Sequence, residues 1–338
     1  MKSIKQHIIE LDQSDWDYYT DFSTNPLSNP FQDQTSHSEF IEKYFKRSGK
    51  EIVLNLINIK KEEIHKANHT NSIFFLGILL HKNTEVKKEY FKELNPSGYK
   101  EFPFIWFLTC LFHDFGVAHE SDIDLLNKIY DLDNLKSHLK IDHCLLNRKI
   151  AGIEKVLFSH IRQYFTYRRI IHKRIDHGIC AGLYFYDRLI KNRIEKEKVR
   201  NNELFWGKKL EKQYALVAAT IATHNIWFPN DETACDYIKF EMKSLINLKP
   251  ISLKHYPLLY LLGVVDTIDP IKIFTSSHSD DYIMENLNLS FSTNMMIIEN
   301  KSDSELDFNK LLLKADNFNG WLNVETKKEK NRLTIIMK

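Results

Sequence analysis

The pair His113-Asp114 closes an apolar stretch, Phe102 to Phe112, that contains no other charge. An aspartate is almost never buried in such company unless it is paired or bound to a cation. Four further polar groups stand in comparable settings. His69 opens the stripe His69, Ile73, Leu76, Leu80, and His177 begins a stretch carrying Ile179, Cys180, Leu183 and Tyr186. His224 follows Val217 and Ile221 by seven and three residues, and Asp266 follows Leu259 and Leu262 by seven and four. At 3.6 residues per turn, each lies on or at the edge of the inward face of its helix. Imidazole nitrogens and carboxylate oxygens without a thiolate suit divalent Mn, Fe, Ni, Co, Zn or Mg. Such ions lower the pKa of a bound water and stabilise charge on a phosphoryl group; two ions bridged by one carboxylate would do both.

The elements that must position these groups are mostly helices, as 10 Gly and 8 Pro in 338 residues suggest. Apolar periodicity predicts helices from Ser38 to about Lys61, from His69 to Leu80, from Pro103 onward, from near Asp176, from Tyr214 to His224, and from Tyr256 to Asp269. Pro270 stops the last of these, and Asp269 before it reads as a turn residue. Asn95-Pro96-Ser97-Gly98 marks a loop, Glu120 to Ile150 reads as one or two surface helices, and Lys191 to Lys212 reads as a charged insertion. Residues 1–60, with Asn25-Pro26 and Asn29-Pro30, read as a helical and irregular wrap. Residues 61–285 hold all six candidate ligands. Residues 286–338 change character, with strand-like Leu289 to Ile298, helix-like Leu306 to Leu322 and strand-like Arg332 to Met337, which suggests a small β-α-β appendage. The predicted fold class is therefore mainly α with a small C-terminal α/β subdomain.

Hydrophobic residues at 43% and charged residues at 27% exclude fibrous, low-complexity and wholly disordered classes. With 47 Lys and Arg against 45 Asp and Glu, the formal charge of +2 gives no global drive toward nucleic acid or an acidic membrane. The longest apolar runs fall short of the roughly 18 to 20 residues of a membrane span. Cys110, Cys144, Cys180 and Cys235 show no CxxC spacing and read as reduced thiols. With no signal-peptide core at the amino terminus, a cytoplasmic location is expected.

The sequence resembles the HD-domain superfamily of metal-dependent phosphohydrolases. The matching motifs are Asn68-His69-Thr70, Leu111-Phe112-His113-Asp114-Phe115-Gly116, Asp176-His177-Gly178, Ala222-Thr223-His224-Asn225 and Val264-Val265-Asp266, in the family's order of H, HD, H, H and D. The resemblance implies a helical core around the metal site and hydrolysis of a phosphate ester or anhydride. It implies one metal held by His69, His113, Asp114 and Asp266, with Asp114 bridging to a second held by His177 and His224. Both later histidines make the chain look more like the binuclear members, such as HD-GYP and CRISPR-associated HD phosphodiesterases, than like the mononuclear nucleotidases. It departs from HD-GYP proteins in having Val117 after Gly116 and no GYP motif, which disfavours cyclic di-GMP. The interval of 44 residues from His69 to His113 is long, so His81 is the alternative first ligand.

Further groups lie near the motifs. His119 and Glu120 are candidates for acid/base work or for orienting a ligand, alongside Asp114 and Arg174 as catalytic groups. Within Arg162, Arg168, Arg169, His172, Lys173 and Arg174, interleaved with Tyr164, Phe165 and Tyr167, the candidates for substrate binding are Arg169, Lys173 and Arg174. Asn225 is a fourth, and Trp227 either lines a nucleobase pocket with it or belongs to the core. The expected partner is a small phosphorylated compound, foremost a nucleotide. The alternatives are a nuclease acting on single-stranded DNA or RNA, which the near-neutral charge disfavours, and a regulatory protein that binds a nucleotide without hydrolysing it. A homo-oligomer is compatible with the sequence.

Overall fold

The computed structural model describes residues 1–17, 27–33, 36–46, 67–87, 102–198 and 208–338. It is mainly helical with a small antiparallel sheet toward the carboxyl terminus. The elements used below, in chain order, are β1 (Lys2–Ser3), α1 (Ile4–Ile9), α2 (His37–Lys46), α3 (Ala67–Asn83), α4 (Phe102–Phe112), α5 (Ile161–Ile171), α6 (His177–Lys198), α7 (Lys208–Thr223), α8 (Pro257–Ile268), α9 (Pro270–Phe274), β2 (Leu287–Ser292), β3 (Met295–Asn300), α10 (Asn309–Lys314), β4 (Val324–Glu329) and β5 (Arg332–Met337). The chain divides into two compact units: one of Met1–Glu51, Ile64–Phe107 and Pro250–Lys338, the other of Ile52–Glu63 and Leu108–Lys249.

In the first unit, α3 is buried from His69 to Leu80 on all sides, so it is a central helix and not a one-sided amphipathic one. Around it the rings of Phe40, Tyr44, Phe45, Phe74, Phe75 and Phe107 interlock, with Tyr44 and Phe74 each 4.4 Å from Phe107 between centroids. Gly77 makes room for the Trp106 indole, which a Cβ there would meet at 2.3 Å. Pro257 occupies the first turn of α8, where its missing N–H costs nothing. Pro270 forces extended backbone on Asp269, which ends α8 and caps α9. The sheet has the order β1-β2-β3-β5-β4, all antiparallel.

Several expectations change here. The appendage is two hairpins, β2–β3 and β4–β5, joined through α10, and not a β-α-β crossover. The sequence hid β4 because an edge strand reading Val-Glu-Thr-Lys-Lys-Glu keeps its charges in solvent and lacks an apolar alternation. The first residues also join the sheet, with Lys2 opposite Leu289. The helix predicted from Ser38 is observed as α2, described over His37–Lys46; its predicted continuation to Lys61 and the loop at Asn95 to Gly98 lie outside the described residues.

In the second unit, α6 and α7 pack side by side at close range. A Cβ at Gly182 would meet the Ala218 carbonyl oxygen at 2.4 Å, and one at Gly178 the Ile221 carbonyl oxygen at 2.7 Å. The two glycines thus set the approach that the side chains at the head of α6 require. α6 also runs unbroken to Lys198, so the first part of the expected charged insertion is helix. Among the described residues no helix is long and apolar enough to cross a membrane.

Candidate metal centre

In the second unit α4 ends at Phe112, and a run of tight turns carries the chain from His113 to Glu120. His113 is fully buried, and its Nδ1 lies 2.8 Å from the Cys110 carbonyl oxygen. His224, in the turn after α7, places Nδ1 2.7 Å from the Ile221 carbonyl oxygen. His177, the first residue of α6, places Nδ1 2.6 Å from Glu120 Oε1. Each ring therefore directs its Nδ1–H to a fixed acceptor, which makes Nε2 the lone-pair nitrogen of the neutral tautomer. The Nε2 atoms of His177 and His224 stand 3.2 Å apart, and Asp114 Oδ1 is 3.5 Å from His177 Nε2 and 3.6 Å from His113 Nε2. Ligand atoms of Asp114, His177 and His224 lie within 4.8 Å of one another, so these residues could hold a metal ion.

The local sequence explains the convergence. Asp176 caps α6, accepting the Ile179 N–H at 2.9 Å, and its other oxygen accepts the side-chain amide of Asn225 at 2.9 Å. One buried carboxylate thus ties the residue before His177 to the residue after His224. Burial pushes its pKa up. Gly116 lets the His113-Asp114 turn press against α6, since a Cβ there would meet the His177 carbonyl oxygen at 2.6 Å. For Glu120, burial alone would raise the pKa, but the hydrogen bond from His177 and the charges of His177, Arg168 and Arg174 outweigh it and hold the carboxyl low. For His177, burial would lower the pKa, and Glu120, Asp176 and Asp114 together raise it.

His69 and Asp266 belong to the first unit. His69 Nδ1 is 2.7 Å from Asp269 Oδ2, and its Nε2 is 3.4 Å from Asp266 Oδ1. Burial works to lower the His69 pKa, and the two carboxylates overcome it, raising it to about 9. Asp269 is fully buried; it also accepts Ser72 Oγ–H and caps α9 through the N–H groups of Ile271 and Lys272. Asp266 is further bound by Lys272 Nζ at 2.6 Å. His81, the alternative first ligand, stacks on Phe102 with centroids 3.8 Å apart, and burial, aided by Lys87, lowers its pKa to about 3. Of the two histidines, it is His69 that stands beside Asp266.

The remaining candidates are distributed as follows. His119 ends the short turn Val117–His119, directly before Glu120. Arg169 commits Nε to the Ile129 carbonyl at 2.7 Å and an Nη to that of Leu126 at 2.8 Å, so it braces a loop. Asn225 spends its amide on Asp176 and its oxygen on the Trp227 indole N–H. Trp227 is 38% exposed and so does not belong to the core. Lys173 has φ of 55°, and Arg174 stands 3.7 Å from Glu120 Oε2.

Asp176 and Asp269 are the positioning carboxylates that sequence reasoning passed over or read as a turn. The available signals were an aspartate immediately before a candidate ligand and an aspartate wedged between a helix and a proline. No known family profile matches the chain, and no curated protein or solved structure matches it either.

Proposed function

We propose that the protein is a metal-dependent phosphohydrolase acting on a nucleotide or related phosphate ester or anhydride. The observation that carries this reading is the facing pair of Nε2 atoms, His177 and His224, 3.2 Å apart beside Asp114, each on a ring whose Nδ1 is already committed. When both rings are neutral, their Nε2 lone pairs face each other at 3.2 Å, a contact that a shared proton or a bound metal ion relieves. Metal-ligating histidines also characteristically give the other ring N–H to a carboxylate or carbonyl, as these do. The donor set therefore fits a divalent ion of the nitrogen- and oxygen-binding class. The roles of His69, His113 and Asp266 as ligands, and the phosphohydrolase chemistry, rest on the order of the five motifs.

When bound, such an ion supplies Lewis acidity toward a phosphoryl oxygen and a water of lowered pKa. The chain's own residues then do the following. Asp114 contributes the anionic ligand; Glu120 fixes the His177 ring and its tautomer; Asp176 and Asn225 keep the two histidine segments in register. Arg174, 3.7 Å from the second oxygen of Glu120, adds positive charge at the margin of the site, and Lys173 sets the turn that carries it. In the test, Asp114→Ala is expected to keep its far-UV circular dichroism and lose turnover by 10³-fold or more, on the order of what loss of an essential charge-stabilising group costs. Full activity in that variant would refute the reading.

A further inference from the structure

Most of the basic stretch before His177 is already paired with other groups of the protein. Arg162 pairs with both oxygens of Asp133 at 2.6 and 3.2 Å. Arg169 serves two backbone carbonyls. Arg168, 15% exposed, turns inward between Glu120 Oε1 at 3.7 Å and Asp176 Oδ2 at 3.5 Å. Arg174 differs: its side chain is 55% exposed, its ion pair is with Glu120 Oε2 at 3.7 Å, and among the described residues its guanidinium makes no hydrogen bond. A separation of 3.7 Å is too long for one.

Its place is nevertheless fixed. Lys173 takes the left-handed backbone that reverses the chain, the Arg174 N–H lies 3.3 Å from the Arg168 carbonyl oxygen, and the Ile175 N–H lies 3.2 Å from that of Glu120. The carboxylate of Glu120 therefore has the His177 ring on one oxygen and the Arg174 guanidinium on the other. A cation held by a distant carboxylate, with its planar fork uncommitted, is suited to exchange that contact for bidentate, charge-assisted bonds to a phosphate.

We infer that Arg174 binds a second phosphoryl group of the substrate, next to the one at Asp114, His177 and His224, so that the substrate class is one with consecutive phosphoryl groups and not a phosphate monoester. This rests on the phosphohydrolase reading and narrows it. His177 and Arg174 stand on opposite oxygens of Glu120, at 2.6 and 3.7 Å, so an anion at Arg174 occupies a position distinct from one at the histidine pair.

The experiment is isothermal titration of the Mn²⁺-loaded full chain with pyrophosphate and with orthophosphate, for wild type, Arg174→Gln and Arg174→Lys. Wild type is expected to prefer pyrophosphate by at least about tenfold, the equivalent of roughly 1.4 kcal/mol. Arg174→Gln should lose that preference while binding orthophosphate as before, and Arg174→Lys should keep only part of it because a point charge replaces the fork. Equal affinities in wild type, or an undiminished preference in Arg174→Gln, would overturn the inference. A parallel screen of phosphate esters and anhydrides separates this from the parent reading. Turnover with no pyrophosphate preference sinks only the Arg174 assignment; an Arg174-dependent preference with no turnover of any compound sinks the phosphohydrolase reading and leaves the anion site.

Discussion

Among the described residues, His69 in the first unit and His177 in the second each have Nδ1 fixed by a carboxylate, and the two carboxylates are built differently. Asp269, in the first unit, is fully buried and meets four donors: His69, Ser72 and the N–H groups of Ile271 and Lys272. Glu120, in the second, is 14% exposed, takes one hydrogen bond from His177 and has its arginines at 3.7 Å. The first carboxylate ends one helix and begins another, so fold and ring orientation depend on the same atoms. The second follows the short turn Val117–His119 and holds its other oxygen 3.7 Å from the Arg174 guanidinium. Removing Asp269 should therefore damage the fold, whereas changing Glu120 should damage the site.

The largest expected effect tests the first half of that contrast. Asp269→Ala leaves four donors without their acceptor and should lower unfolding stability by about 3 to 5 kcal/mol in a denaturant titration. A loss under about 1 kcal/mol would mean that the cap and the ring contact are dispensable. Next comes the packing that sets the His177–His224 pair. Gly178→Ala puts a methyl group 2.7 Å from the Ile221 carbonyl oxygen and 2.9 Å from the His224 ring, so α6 and α7 must part. The expected cost is about 1 to 3 kcal/mol by thermal melt, with weakened metal uptake.

Glu120→Gln sharpens the comparison from the other side. The amide can still accept from His177 but brings no charge, so stability should change by less than about 1 kcal/mol while metal affinity falls by roughly 10- to 100-fold. If the variant unfolds as readily as Asp269→Ala, the two carboxylates are alike after all. The smallest effect is on pH dependence in metal-free protein. The His69 pKa is raised to about 9, so the folded chain holds that proton more tightly than the unfolded one. Its contribution is complete below about pH 6.5 and disappears as pH rises through about 9. His177 is raised as well and adds to the same slope. Melting temperature should therefore fall across that window, and His69→Gln should flatten its upper part; a wild-type profile that stays level to pH 9 would contradict the first unit's geometry.

What the sequence made legible was whatever depends on periodicity and local chemistry. The apolar runs around His69, His113, His224 and Asp266 are helices, and His69 rather than His81 stands next to Asp266. Less visible were groups whose role is defined by a distant partner. Asp269 looks like a turn residue because its capping function is local, while its contact with His69 is 200 residues away in the chain. Asn225 reads as a substrate contact and Asp176 goes unassigned, because the bond between them exists only once α6 and α7 are packed together. The strand β4 escaped notice because an exposed edge carries Lys and Glu, and α6 was cut short because its solvent-facing end reads like a charged loop. Trp227, a candidate core residue by type, is 38% exposed, with its indole N–H donated to the buried Asn225.

The most direct test of the central claim is metal content by mass spectrometry on wild type and on His177→Ala/His224→Ala, paired with a screen for phosphate release. The account predicts bound divalent metal in wild type and a lower content in the double variant, with turnover lost. Equal metal content in the two proteins, or no metal in either, would contradict it.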